Sequence, residues 1–468
     1  MPTPSEHLTP DAIRTLFSTA LSRMYQAEVP QYGSLLRLVA EVNAEVLADD
    51  RDLDGQLAAS GDAGRLDIER HGAIRLGTAQ ELADMRRLFA VMGMSAVGYY
   101  DLSIAGVPVH STAFRPVDKA ALRRNPFRVF TSLLRLELIE DAELRREAAD
   151  ILSRRAVFTP ACLDLIAEAE REGGLSRSSA ERFVAEALET FRWRRTATVK
   201  YDVYQRLRAE HPLVADVVCF SGPHINHLTP RTLDIDAAQA RMIARGLPAK
   251  AVIEGPPRRA VPILLRQTSF KALEEAVTFG GADGTPVLGA HTARFGEIEQ
   301  RGVALTPAGR ALYDRLLNEA RQDAKAGGAG RPDAYPAALA ERFSAFPDSD
   351  ADLRRQGLAH YRYSLTGITP RAASDDLEVH IDAGVVRADP ITYEDFLPVS
   401  AAGIFRSNLG EDAAAEFEAD ANQTAFERAL GSTVLDPFSL YAQTEAESRR
   451  VCMAALSGAG LTGVPQEA

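Results

Sequence analysis

One order of elements occurs twice in this sequence. In the first copy RHGAIRLGT, from Arg70, reads as a strand. AQELADMRRLFAVMG then reads as a helix, with Leu82, Met85, Phe89 and Met92 on one stripe and Gly93 as its stop. SAVGYYDLSI, VPVHSTAFRPV and FRVFTSLLRLELI read as three further strands. In the second copy HINHLTPRTLD is the strand and IDAAQARMIARG the helix, ending at Gly246; AKAVIEG, AVPILLRQTSF and HTARFGEIEQRG are the three strands. Residue identity between the copies is low, but one local match holds the same place in both: His71-x-x-x-Arg75 and His227-x-x-x-Arg231. Two β-α-β-β-β units pairing side by side predict an α+β fold. Its sheet would be curved and half-open, with the first strands of both units facing one concavity.

The modules are expected at 65–140 and 213–305, and the remainder reads as mostly helical. Residues 1–64 form an N-terminal helical segment, opened by the Thr-Pro cap signal of TPDAIRTLFSTALSRMY. Residues 141–212 read as a helical insertion, with caps such as that of SRSSAERFVAEALETF. Residues 306–468 read as a helical linker and a region capping the substrate site. Within it GGAGRPD (Gly327–Asp333) suits a flexible link, EVHIDAGVVRAD reads as strand-like, and the tail SGAGLTGVPQEA is expected to fray.

Composition narrows the function classes. With 46% hydrophobic and 25% charged residues, the 468-residue chain has the make-up of an ordinary globular protein. A formal charge of −12 disfavours a nucleic-acid partner, which needs clustered Lys and Arg. The one basic run, RWRRTATVK (Arg192–Lys200), reads as a solvated helix face. Cys162, Cys219 and Cys452 are odd in number and far apart, which fits neither a disulfide framework nor a zinc knuckle. No secretory signal and no bilayer-spanning run is visible, so a cytoplasmic location without a membrane partner is expected. The sequence carries no signal for a particular oligomeric state.

Side chains four apart on a strand share a face, so His71 and Arg75 project together, about 13 Å apart at the backbone. His227 holds the matching place in the second unit. Glu297, on the last strand of that unit, offers a carboxylate to the same concavity, and Glu299 alternates with it. Aligning Phe130 with Phe295 sets Ser132 where Glu297 stands, leaving the fourth corner to a hydroxyl too weak to hold a metal. Two imidazoles and a carboxylate with vacant positions suit non-haem Fe(II) and oxygen chemistry. Taken singly, each His fits a hydrogen-bonded core residue and Glu297 fits an exposed acidic face; the repeat is what favours a metal site. His224 competes with His227 for the role, while His110 and His291 read as structural. Arg75 could clamp a substrate carboxylate, or pair with Glu69 or another strand neighbour. Arg231 could hold a second carboxylate, unless Pro230 turns the chain away.

Four stretches, RHGAIRLGT, FSGPHINHLTPRTLDID, HTARFGEIEQRGVALTPAGRALYDRLL and YEDFLPVSAAGIFRSNLG, resemble the bacterial 2-oxoadipate dioxygenase/decarboxylase family. These enzymes are also called D-2-hydroxyglutarate synthases and act in lysine breakdown. The resemblance implies the vicinal oxygen chelate fold, built from the β-α-β-β-β module. It implies Fe(II) bound by His71, His227 and Glu297. In the related hydroxyphenylpyruvate dioxygenases the ligating Glu stands three positions before a Gln-Arg pair, as Glu297 does in EIEQR and Glu299 does not. It further implies that Arg75 holds the distal carboxylate of the substrate, a catalytic role, and that Val399 and Ser400 contact the substrate from LPVSAAG. The expected partners are a small 2-oxo diacid and O2. The acid would chelate the iron through its 2-oxo carboxylate, lose CO2 and become 2-hydroxyglutarate. Two rivals share the fold: a glyoxalase-like isomerase or lyase using another metal, and a binding protein without turnover.

Overall fold

In a computed structural model, the structure describes residues 7–60, 62–250, 252–281, 283–326, 334–368, 374–397 and 419–457. The fold is mixed α+β, in two units: residues 1–254, 267–300 and 395–435 make the first, and residues 255–266, 301–394 and 436–468 the second.

In the first unit the run RHGAIRL folds as β1, Arg70–Leu76, buried along almost its whole length. Helix α1, Ala79–Val91, follows. Thr78 caps it by accepting from the Glu81 amide at 3.2 Å, while the Glu81 carboxylate accepts from the Gly77 amide at 2.7 Å. This exchange satisfies donors that a helix start leaves open. Strands β2 (Ser95–Asp101), β3 (Val109–Arg115) and β4 (Arg128–Leu134) complete the expected order, with a short helix, Lys119–Arg124, added before β4. β4 lies parallel to β1, and its other neighbours alternate, in the order β2-β3-β4-β1-β5. β5 is Leu228–Pro230, antiparallel to β1 and shorter than the sequence suggested. Pro230 ends it, because proline has no amide hydrogen to continue a ladder.

The second set of elements departs further from expectation. Helix α2, Pro212–Val218, precedes β5, and helix α3, Ile235–Ala244, follows it as predicted. AKAVIEG is not a strand among the described residues; it makes two isolated bridges, Ala249 with Phe270 and Glu254 with Gln267. AVPILLRQTSF supplies β6, Leu265–Ser269. HTARFGEIEQRG, expected as one strand, is split. Its start belongs to Pro286–Thr292, which pairs with Glu274–Gly280, and its end forms β7, Glu297–Arg301, beside β6. The break has a packing cause: a Cβ at Gly296 would fall 1.9 Å from the Phe270 ring, and Arg294 turns inward to Glu28 and Glu275, each at 2.5 Å.

The basic run at Arg192–Lys200 is not a solvated helix face. It leaves the helix Arg177–Phe191 and becomes the strand Thr196–Lys200, parallel to Glu274–Gly280. Trp193 is buried there, with the Arg294 guanidinium 4.8 Å from its ring centre. That cation–π contact removes the indole from water.

Two N-terminal helices, Pro10–Glu28 and Pro30–Asp49, brace this unit. Phe17 and Leu21 join Leu82, Phe89, Phe114, Phe191 and Ile225 in one core. Arg14, fully buried, donates to the carbonyls of Met92, Ala121 and Asn125 at 2.8–2.9 Å, closing the end of α1. The Tyr25 hydroxyl faces the carbonyls of Phe295 at 2.7 Å and Asn226 at 3.1 Å. Asn43 bonds the backbone on both sides of Thr232, at the Arg231 carbonyl and the Leu233 amide.

In the second unit the helices Pro307–Ala326 and Ala334–Phe343 pack together, and the strand Tyr361–Leu365 pairs antiparallel with Val386–Pro390. The expected strand EVHIDAGVVRAD is half helix. Asp376 caps Leu377–Asp382, Gly384 turns the chain at φ +70°, and only Val386–Pro390 extends. Among the described residues no helix is long and apolar enough to cross a membrane.

Tyr25 ties together the segments that lead into His227 and Glu297. Removing its hydroxyl takes that donor from the Phe295 carbonyl, while the Asn226 carbonyl keeps the Phe295 amide; the loss is about 1–3 kcal/mol. Tyr25→Phe is expected to lower the melting temperature by several degrees in a thermal scan and to weaken metal binding in the same preparation.

Candidate metal centre

The antiparallel register of β1 and β5 sets His71 opposite Thr229, flanked by Arg70 with Pro230 and Gly72 with Leu228. The pairing continues as the Asn226 amide donates to the Ala73 carbonyl at 3.0 Å. His227 is two residues from Thr229, so it shares the face of His71. The two rings meet nearly at right angles, with centres 5.2 Å apart. Gly72 permits this approach: a Cβ there would lie 2.6 Å from Ile225 Cδ1 and 3.1 Å from the His227 carbonyl oxygen. On the far side of β5, Arg231 bridges in parallel to Glu299, and the Thr232 amide donates to the Glu299 carbonyl at 2.7 Å. That register brings Glu297 level with Thr229.

The three side chains therefore converge. Glu297 Oε2 lies 3.0 Å from His71 Nε2 and 3.6 Å from His227 Nε2, and one ligand atom from each residue falls within 4.8 Å of the others. All three are buried. Two atoms each about 2.1 Å from one ion, at tetrahedral or octahedral angles, lie about 3.0–3.4 Å apart; the His71–Glu297 pair falls in that range and the His227–Glu297 pair just beyond it. Among the described residues neither ring nitrogen of His227 has a hydrogen-bond partner. A buried imidazole left in that state is costly unless a metal takes its lone pair. Glu297 is steadied by donors from Thr229 Oγ1 at 2.9 Å and Gln267 Nε2 at 3.1 Å.

The electrostatics prepare the same group. Burial pushes the His227 pKa down to about 3, with His71 and Arg75 adding to the effect against the pull of Glu297. It is a neutral donor at any working pH. Burial would raise Glu297, but the neighbouring His227 and His71 outweigh it and hold the carboxyl below its usual range. His71 goes the other way: burial opposes its charge, yet Glu299 and Glu297 raise its pKa. A metal ion entering here would displace that proton.

A charged layer lies behind His71. Its Nδ1 is 2.9 Å from Glu299 Oε2. Arg128 reaches Glu299 at 3.3 Å and Glu69 at 2.8 Å, and Glu69 also takes Arg65 and Arg231, each at 3.1 Å. With Nδ1 turned to Glu299, Nε2 is left facing Glu297 and the space between them.

A sequence model of the 2-oxoadipate dioxygenase/decarboxylase family matches residues 17–408. The chain is 58% identical over 451 residues to the 2-oxoadipate dioxygenase/decarboxylase of Escherichia coli (strain K12), covering 95% of this chain and 98% of that one. It is 57% identical over 461 residues to the protein of the same name from Pseudomonas putida, covering 97% and 98%. The crystal structure of the Pseudomonas putida hydroxyglutarate synthase in complex with 2-oxoadipate superposes with a TM-score of 0.88 at 55% identity, over 96% of this chain and 99% of that one. The chain belongs to the 2-oxoadipate dioxygenase/decarboxylase family.

Four stretches of sequence had suggested that family, and the fold unites the three residues the resemblance named as ligands. Other expectations change. Ser132 is not the counterpart of Glu297. In β1 and β4 Arg75 lies beside Ser132, as Arg231 lies beside Glu299. Matching the registers equates Ser132 with Glu299 and Phe130 with Glu297, so the fourth corner of this family member is a phenyl ring. Ser132 instead shares a 2.8 Å hydrogen bond with Ser111. Arg231 is not poised for a second carboxylate, since it is committed to Glu69. Arg75 pairs with Asp216, at 2.5 Å, rather than with Glu69. His224 and His291 also turn to Asp216, at 3.2 and 2.8 Å, and His110 lies 3.4 Å from the Tyr99 hydroxyl. Val399 and Ser400 lie outside the described residues. Sequence reasoning missed Asp216, Thr229 and Gln267, although Thr229 stands within the His227-x-x-x-Arg231 match. It also read Glu299 as a rival of Glu297, when the two acids face opposite nitrogens of one imidazole.

Glu299 reaches the candidate metal site through His71 Nδ1. Glu299→Gln is expected to raise the metal dissociation constant roughly 10–100-fold. Competition against a chromogenic chelator would measure it, with the melting temperature as the control for folding.

Proposed function

We propose that the protein is an Fe(II)-dependent dioxygenase and decarboxylase that converts 2-oxoadipate and O2 to 2-hydroxyglutarate and CO2, within cytoplasmic lysine breakdown. The observation that carries the reading is the buried convergence of His71, His227 and Glu297 in a chain of this family. Two neutral or neutralised imidazoles and one carboxylate leave an ion with sites to spare, the donor set of non-haem iron oxygenases. We read the architecture as two vicinal oxygen chelate-like βαβββ modules. The paired first strands and the matching parallel registers of β1 with β4 and of Arg231 with Glu299 support it.

Iron bound to these three residues would supply a Lewis acid for a 2-oxo carboxylate and a site for oxygen activation. The chain's own residues do the rest. Glu297 offsets part of the ion's charge, and Thr229 and Gln267 keep its carboxylate from rotating. Glu299 fixes the tautomer of His71. The Phe396 ring lies 5.0 Å from His71 and 5.1 Å from Phe130, an apolar wall that keeps water from the reacting carbons. Arg75, on the His71 face of β1, is assigned the distal carboxylate of the diacid and so sets which carbon lies toward the metal. Val399 and Ser400 are assigned further substrate contacts, as the resemblance implies.

The test is oxygen uptake by Fe(II)-loaded protein given 2-oxoadipate, with products analysed. One 2-hydroxyglutarate and one CO2 are expected per O2 consumed. His227→Ala should lose more than the roughly 10–100-fold that follows loss of an outer partner. Uptake without stoichiometric CO2, or an active His227→Ala, would refute the assignment.

A further inference from the structure

Arg75 does not end in open water. It is 8% exposed, and its Nη1 lies 2.5 Å from Oδ2 of Asp216, on α2. Asp216 is itself buried, and its other oxygen gathers two imidazoles, His291 Nε2 at 2.8 Å and His224 Nε2 at 3.2 Å. The next link runs from His291 Nδ1 to the Tyr204 hydroxyl, 3.1 Å away. Trp193 meets His224 edge-on, with centres 4.6 Å apart, and lies parallel to His291 at 6.2 Å. A line of polar contacts thus passes from Tyr204 through His291 and Asp216 to Arg75, drawn from separate stretches of chain and walled by an indole. Burial alone would raise the Asp216 pKa, but His224, Arg75 and the bond from His291 hold it well below the usual carboxylate range. Nothing in the metal centre requires this cluster: Asp216 is not one of the converging ligands.

We propose that Asp216 is the positioning residue of the carboxylate clamp, holding the Arg75 guanidinium in the orientation that receives the distal carboxylate of a 2-oxo diacid. The inference rests on the reading of Arg75 as the clamp. An arginine carries much rotamer freedom, and a clamp that must first be ordered loses affinity in proportion. A guanidinium in a buried wall also needs a counter-ion, or it swings to another acceptor. Asp216, hydrogen-bonded from behind by His291 and with His224 3.2 Å away, meets both needs before substrate arrives. Its influence should therefore be confined to acids with a second carboxylate, which is a specificity role.

The experiment compares 2-oxoadipate with 2-oxohexanoate, which carries a methyl group in place of the distal carboxylate. Dissociation constants are measured by calorimetry on metal-loaded protein without oxygen, beside KM and kcat. In Asp216→Asn the dissociation constant and KM for 2-oxoadipate should rise roughly ten- to a hundredfold. Those for 2-oxohexanoate should stay within about twofold, and kcat should change less than KM. Asp216→Glu keeps the charge and is expected to fold where Asn does not, showing the same split in smaller measure. Equal weakening for both acids, no weakening, or tighter binding of 2-oxoadipate would overturn the proposal. Arg75→Met separates the two readings. If it weakens both acids equally, the clamp itself is wrong. If it discriminates and the Asp216 variants do not, only the role of Asp216 falls.

Discussion

Three residue pairs between β1 and β5 hold this centre together. Arg70, His71 and Gly72 face Pro230, Thr229 and Leu228 across an antiparallel ladder. A strand pair of this length is weak by itself, and its worth lies in register. A slip of one residue would turn His71 to the other face while leaving His227 behind. The pairing is short because Pro230 cannot extend it, and it is close because Gly72 has no side chain to keep the His227 backbone away. Both restrictions reduce freedom where freedom would scatter the ligands.

The layer beneath His71 follows from the same register. Parallel pairing sets Arg128 beside His71, and the bridge sets Arg231 beside Glu299, so three arginines and two glutamates share one buried floor. Taking five charges out of water is expensive, and such groups seldom raise stability above that of an apolar core. Their value here is orientation. Glu299 has a fixed place because Arg128 holds its second oxygen, and its first oxygen lies 2.9 Å from His71 Nδ1. The arrangement also explains why two His-x-x-x-Arg matches end differently. β1 and β5 run in opposite directions, so Arg231 descends to the floor while Arg75 points the other way, toward Asp216.

Much of the first module was legible because its periods are clean. A three-to-four spacing marked α1, and short runs rich in β-branched and aromatic residues marked β2 to β4. His71, His227 and Glu297 could be proposed from the repeated order and named firmly by resemblance. The failures have local causes. Ser132 was matched to Glu297 by aligning two phenylalanines, whereas register, which the sequence does not print, aligns Phe130 with Glu297. AKAVIEG looked like a strand on apolar content, yet it makes only isolated bridges. The strand Thr196–Lys200 was hidden by the charges of the run that leads into it, and Trp193, the one aromatic of that run, was the sign of burial. Asp216 could not be found at all, because its partner is 141 residues away and nothing in ADVV distinguishes it.

Tyr25 carries a consequence for how the molecule is made. Its hydroxyl joins carbonyls that lie 201 and 270 residues further along the polypeptide. During synthesis the first long helix therefore waits for more than half the chain to emerge before it can dock fully. Contacts so distant in sequence are slow to form, since loop closure must precede any reward from packing. Completion of the candidate metal pocket is thus a late event, because nascent chains halted before Glu297 would have the two imidazoles without the carboxylate that joins them.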